Sequence, residues 1–130
     1  VNISISKMSD VAVGHKVRIR QLSLGPISWG AWSWTFSDGS TWAALGFDGD
    51  TMIGWAILTM EIDVLPVIGA FTDERHRGQG IGATLASALL RSLVESGELY
   101  PGAAVFASTE RWKRWHEVVE SAGLRCLTWE

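Results

Sequence analysis

The most constraining stretch of this chain is Val67 to Leu85, V-I-G-A-F-T-D-E-R-H-R-G-Q-G-I-G-A-T-L. An apolar run dense enough for a central strand passes through a glycine-rich turn into an amphipathic helix. Gly78, Gly80 and Gly82 carry no Cβ, so the backbone there can come close to a bound group. A helix beginning at this point offers unpaired N–H groups and the positive end of its dipole to an anion. Arg75 and Arg77 add positive charge just before it. A tight strand-to-helix turn uses glycine for geometry alone. Three glycines, two arginines and the strand-to-helix setting together point instead to a pyrophosphate cradle. It is not a Walker loop, which needs G-K-[ST]. Gly78, Gly80 and Ala83 also spell a dinucleotide fingerprint. Only 47 residues follow Ala83, however, and several antiparallel strands precede it, so that reading fits poorly.

The remaining pattern predicts a mixed α/β layer structure around one sheet. Val1–Met8 reads as a strand, and Ser9-Asp10 as the N-cap of a helix over Val11–Leu24. Gly25-Pro26 breaks the chain, and Trp32, Trp34 and Phe36 alternate as in a strand ending at an Asp38-Gly39 turn. Thr41–Phe47 and Thr51–Ile62 form a hairpin. Val64–Thr72 is the central strand, with a bulge or an interrupted ladder at Pro66. Gln79–Ser96 is a helix whose apolar face is Ile81, Leu85, Ala88, Leu89 and Leu93. Ala103–Ala107 is a short strand, a helix runs from Ser108 or Thr109 to about Ser121, and Leu124–Trp129 is a last strand.

The 130 residues make one domain, 1–130, able to bury about 68% of its unfolded surface without a disulfide or metal. A net charge of −3 argues against a broad nucleic-acid surface. The single cysteine, Cys126, excludes a disulfide framework and fits a reducing cytoplasm. No apolar run approaches the ~18 residues of a membrane span, and the first ten residues hold no signal-peptide core. The expectation is a cytoplasmic protein with no nucleic-acid or membrane partner.

R-H-R-G-Q-G resembles the R/Q-x-x-G-x-G/A acyl-CoA motif of GNAT superfamily N-acetyltransferases, with Arg75, Gly78 and Gly80 at the motif positions. The resemblance extends to F-D-G-D-T-M-I-G-W-A-I-L as the second and third strands, V-I-G-A-F-T as the fourth, and V-V-E-S-A-G-L as the end of the last helix. It covers about Thr41 to Trp129. It implies a GNAT-like fold with a mostly antiparallel sheet whose fourth and fifth strands splay apart. It also implies acetyl-CoA as co-substrate, no metal, and an amine acceptor on a small molecule, a protein lysine or an N-terminus. Ala70, Phe71 and Thr72 would pair with the pantetheine arm. Arg75, Arg77, Gly78, Gln79, Gly80, Ile81, Gly82 and Ala83 would hold the pyrophosphate, mainly by backbone N–H.

The implied reaction is direct attack of the amine on the thioester in a ternary complex. The amine must lose a proton, since an alkyl ammonium has a pKa near ~10.4. The oxyanion needs a donor, expected from a backbone N–H near Phe71. The thiolate needs a proton. Many family members carry a tyrosine where this chain has Val119, and the only tyrosine here is Tyr100. Ser108, His116 and Cys126 are the polar candidates in its place. Glu61 and Asp63, at the start of the fourth strand, are either a base or a solvated turn. The family often has a seventh strand, here absent or supplied by a partner. Trp29, Trp32 and Trp34, with Trp42, surround the region that shapes the acceptor pocket in the family. They are candidates for substrate binding, for a homodimer or partner interface, or for the core. Trp55 and Trp129 read as core, Trp112 and Trp115 as packing, Cys126 as a buried strand residue, and His76 as facing solvent or phosphate. The alternative to an active enzyme is a catalytically reduced CoA-binding or protein-interaction module.

Overall fold

In a computed structural model, residues 1–22, 41–61, 64–107 and 112–128 are described. Their strands are β1 (Asn2–Lys7), β2 (Thr41–Asp48), β3 (Thr51–Glu61), β4 (Val64–Thr72), β5 (Ala104–Ala107) and β6 (Arg125–Thr128). They form one sheet in that order. Its first four strands pair antiparallel; β4–β5 and β5–β6 pair parallel. The helices are α1 (Val13–Leu22), α2 (Ile81–Glu95) and α3 (Trp112–Ser121), with short 3-10 turns at Met8–Asp10 and Glu74–His76.

β3 feeds two cores, its alternation shifted by one residue at a bulge between Met52 and Gly54. Ile53, Ala56 and Leu58 pack with Leu85, Leu89, Leu90 and Leu93 of α2 and with Val119 of α3. Met52, Trp55 and Ile57 pack on the other face with Met8, Val11 and Ile19. The sheet is therefore buried on both sides, which explains why β3 reads as a nearly continuous apolar run. Against β3, the β4 register runs from Thr59↔Val67 to Glu61↔Val64, so β4 carries one extra residue in the stretch that holds Pro66. This is the expected bulge, where a residue without an N–H fits.

The described part of the β4–β5 ladder joins Val67 to Phe106 and Ile68 to Ala107, the last residue of β5; the expected splay of these strands falls beside residues 108–110, outside the described ones. Beyond Ile68, β4 continues to Thr72, still paired with β3.

Several boundaries differ from the sequence expectation. Ser9-Asp10 caps no helix; it lies in a 3-10 turn closed by Val11 N–H to Met8 O at 3.1 Å. Met8 and Val11 are both buried, and seating them in the core delays the helix to Val13. α2 starts at Ile81, not Gln79, because Gly80 is left-handed with φ 75°. Ala88 is only half-buried, since Leu85, Ala86, Leu89, Leu90 and Leu93 define the inward stripe. No described helix is long and apolar enough to cross a membrane.

Candidate functional site

The exposed backbone of β4 comes first. Asp73 N–H donates to Ile53 O at 2.7 Å, so in an antiparallel ladder Phe71 and Gly69 also turn their main-chain groups to β3. Ala70 and Thr72 turn theirs to the opposite edge, beyond the described Ile68↔Ala107 pair. The Thr72 carbonyl confirms this direction, because it accepts Arg77 Nε at 3.2 Å outside the ladder. The expectation of a donor near Phe71 thus moves to its neighbours: Phe71 itself is committed to β3, while the Ala70 and Thr72 N–H groups meet no acceptor among the described residues.

Close packing fixes this edge against α2. A Cβ on Gly54 would stand 2.9 Å from Phe71 O, and one on Gly82 would stand 3.3 Å from Thr72 Oγ1 and 3.7 Å from Ala70 Cβ. Glycine at both places lets β3 and the start of α2 close on β4. Phe71 lies on the α1 side, stacked on Trp55 with ring centroids 6.1 Å apart, and the Arg77 guanidinium sits 5.1 Å from its ring centre.

The strand then turns through the 3-10 segment into α2. Gly78 and Gly80 both have positive φ, 85° and 75°. No side chain caps α2 and no acidic residue lies in its first turn. The first intrahelical bond is Thr84 N–H to Gly80 O at 3.0 Å, and the Thr84 hydroxyl donates to the same oxygen. The N–H groups from Gly78 to Ala83 meet no acceptor among the described residues, which leaves a row of donors at the positive end of the helix. Gln79 is exposed, whereas the Ile81 side chain is buried in the core, so Ile81 contributes through its main chain.

Arg75 is exposed in the loop; Arg77 is exposed but tied back to Thr72 O and Phe71. His76 is half-buried. Its Nδ1 lies 3.6 Å from Asp73 and its Nε2 4.0 Å from Asp48, so it links the loop to the β2–β3 turn. A cation that the motif did not reveal comes from α3: Arg114 Nη2 lies 3.2 Å from where a Cβ on Gly80 would stand. A surface groove of about 590 Å³ continues from Ala83 between α2 and α3, past Thr84, Ser87, Arg91, Glu117 and Ser121.

A sequence model of the Acetyltransferase (GNAT) family matches residues 18–117. The chain belongs to the GNAT acetyltransferase family. No curated protein sequence matches it significantly. Solved structures share the GNAT fold at low identity. The protein smu.2055 from Streptococcus mutans is 18% identical, with a TM-score of 0.53, covering 72% of this chain and 66% of that one. The ribosomal-protein-S18-alanine N-acetyltransferase from Escherichia coli is also 18% identical, with a TM-score of 0.55, covering 74% of this chain and 62% of that one. The chain thus spans under two thirds of both relatives. A chimera of the spermidine N-acetyltransferase SpeG from Vibrio cholerae and hSSAT is 14% identical, with a TM-score of 0.63, covering 94% of this chain and 80% of that one.

The fold brings Ala70, Thr72 and the main chain from Gly78 to Ala83 along one edge, whereas Phe71, expected with them against the pantetheine arm, turns its main chain to β3. It does not do the same for the catalytic candidates. Glu61 is the last residue of β3, opposite Val64, not the first of β4, because β3 keeps its pairing through the bulge. His116 is half-buried on α3, with Nδ1 3.3 Å from Glu120 Oε1. Ser108, Asp63, Trp29, Trp32, Trp34 and Trp129 lie outside the described residues. Val119 is fully buried in the α2–α3 core, so the position offers no proton to a thiolate. Tyr100 is 79% exposed in the loop before β5. Cys126 is buried in the same core as Val119, and burial, reinforced by the Glu120 charge, pushes its thiol above the ordinary 9.0. Trp55 is core, as expected; Trp42 is half-buried, with Lys7 Nζ 5.5 Å from its ring centre. Trp115 packs against the α2–α3 core. No three His, Cys, Asp or Glu side chains converge among the described residues in a way that would hold a metal.

Proposed function

We propose that this chain is an acetyl-CoA-dependent N-acetyltransferase that transfers acetyl to a primary amine by direct attack. The observation that carries the reading is the continuity of the β4 edge turned away from β3, at Ala70 and Thr72, with the uncapped start of α2. Ala70 and Thr72 offer main-chain hydrogen-bonding groups of the kind an amide-bearing pantetheine arm needs. A few residues on, the free N–H groups from Gly78 to Ala83, with Arg75 and Arg77, suit a pyrophosphate. The groove beyond Ala83 suits the adenosine end.

In the reaction, the amine nitrogen bonds to the acetyl carbon, the carbon–sulfur bond breaks, and CoA leaves as a thiolate. The amine sheds its proton before or during attack. The Ala70 or Thr72 N–H stabilises the carbonyl oxygen as its charge grows. A CoA thiol is acidic enough for solvent to protonate the departing sulfur, so the valine at position 119 does not forbid turnover. Glu61, Ser108 and His116 are the base and acid candidates, and Trp29, Trp32 and Trp34 the acceptor-binding ones. The lone cysteine and the acidic balance support a cytoplasmic setting without a nucleic-acid partner. The relatives named for a protein N-terminal alanine and for spermidine make these two amine classes the first to test.

The buried Val119 favours a second reading, a CoA-binding module with reduced catalysis. Calorimetric titration with acetyl-CoA and CoA, followed by thiol release with spermidine and an alanine-terminated peptide, separates the two. Binding weakened by Arg77→Glu or Gly80→Asp, with turnover, supports the enzyme. Binding with no turnover for any amine supports the module. No binding by a folded sample refutes both.

A further inference from the structure

We infer that Arg114 of α3 is a phosphate-binding residue of the same cradle, a role that rests on the acetyl-CoA reading above. Its Nη2 stands 3.2 Å from the Cβ position of Gly80, the residue that precedes the first turn of α2. A Cβ at Gly80 would press on the guanidinium, so the second motif glycine does more than permit a left-handed φ. It also admits a cation from another helix.

The electrostatics of this placement point to a ligand. Arg114 is exposed, and no hydrogen bond or ion pair ties it to another described residue. Its charge lies against the positive end of the α2 dipole, where no acidic residue and no side-chain cap offsets it. A guanidinium placed there is unfavourable in the free protein. It becomes favourable once an anion occupies the row of N–H donors. The planar fork of arginine can then grip two phosphate oxygens at once. Because Arg114 belongs to α3 and the N–H row to α2, the bound phosphates would also join the two helices that line the groove.

The test compares wild type, Arg114→Gln and Arg114→Lys by calorimetric titration with CoA and with dephospho-CoA, which lacks only the 3′-phosphate. Arg114→Gln is expected to weaken both ligands about equally, by roughly tenfold. Arg114→Lys is expected to recover part of the loss, and neither variant should lower the melting temperature, since the side chain is exposed. Unchanged CoA affinity in Arg114→Gln overturns the inference. A loss seen with CoA but not with dephospho-CoA also overturns it, because the arginine would then read the 3′-phosphate and not the pyrophosphate. Failure of wild type to bind CoA is a different result, which removes the acetyl-CoA reading itself.

Discussion

Gly54→Ala tests how tightly β3 and β4 close beneath the edge at Ala70 and Thr72. The new methyl would stand 2.9 Å from Phe71 O, 3.3 Å from Leu85 Cδ1 and 3.4 Å from Ile81 Cγ2. The two side chains can yield a little, but the oxygen belongs to the β4 backbone. Relief therefore requires β4 to shift outward by a few tenths of an ångström, and Phe71 is held there by the β3 ladder and by Trp55. Burying one methyl returns about 0.8 kcal/mol at best. Overpacking of this kind costs about 1–3 kcal/mol, and distorting a ladder bond adds about 1 kcal/mol. The net expectation is a loss of about 1–3 kcal/mol. Urea unfolding should show a lower midpoint with an unchanged slope, which marks a stability change without a change in exposed surface. A loss below about 0.5 kcal/mol would refute the reasoning, because it would mean that the two strands part freely at this point.

Gly80→Ala forces a side chain into φ 75° and against Arg114. It should cost about 1 kcal/mol and weaken CoA further than stability alone explains, measured by melting and titration. Gly14→Ala meets nothing within 4 Å in the first turn of α1 and should stabilise by about 0.5 kcal/mol; a fall in melting temperature would count against that helix. The raised Cys126 thiol keeps its proton in the folded state where the unfolded chain releases it. Its contribution is therefore constant below the ordinary 9.0 and is lost as pH rises from there through the native value. Replacing it by alanine should flatten that part of the alkaline stability slope, and iodoacetamide should label the folded wild type slowly at about pH 8.

The parts of the fold that the sequence makes legible are those in which one residue type has few alternatives. Asp48-Gly49-Asp50 marks the β2–β3 turn, Pro66 marks the bulge, and the glycines at 78 and 80 mark the left-handed turn into α2. Each restricts the backbone directly. The N-terminus of α1 is less legible, because Ser9-Asp10 is an equally good signal for a cap and for a 3-10 turn. The burial of Met8 and Val11 decides between them, and no local pattern records that burial. Arg114 shows the same limit at the site. It is one charged residue on a helix, and only the approach of α3 to α2 brings it to Gly80.

This contrast explains why the donor side of the site can be read and the acid–base side cannot. A cradle built from main-chain groups needs only the right backbone path, so the demand falls on glycines and on strand alternation, and both leave a pattern. A proton donor needs one side chain at one point, and several residue types on several elements can reach it. Val119 illustrates the consequence. Its position along the chain is where the family often keeps a phenol. Here the apolar side chain is drawn fully into the core between the sheet and α2 and adds to packing instead. What the protein gains there in core burial it gives up in a fixed proton donor. Any proton for the thiolate must therefore come from solvent or from another side chain, such as His116 on the same helix.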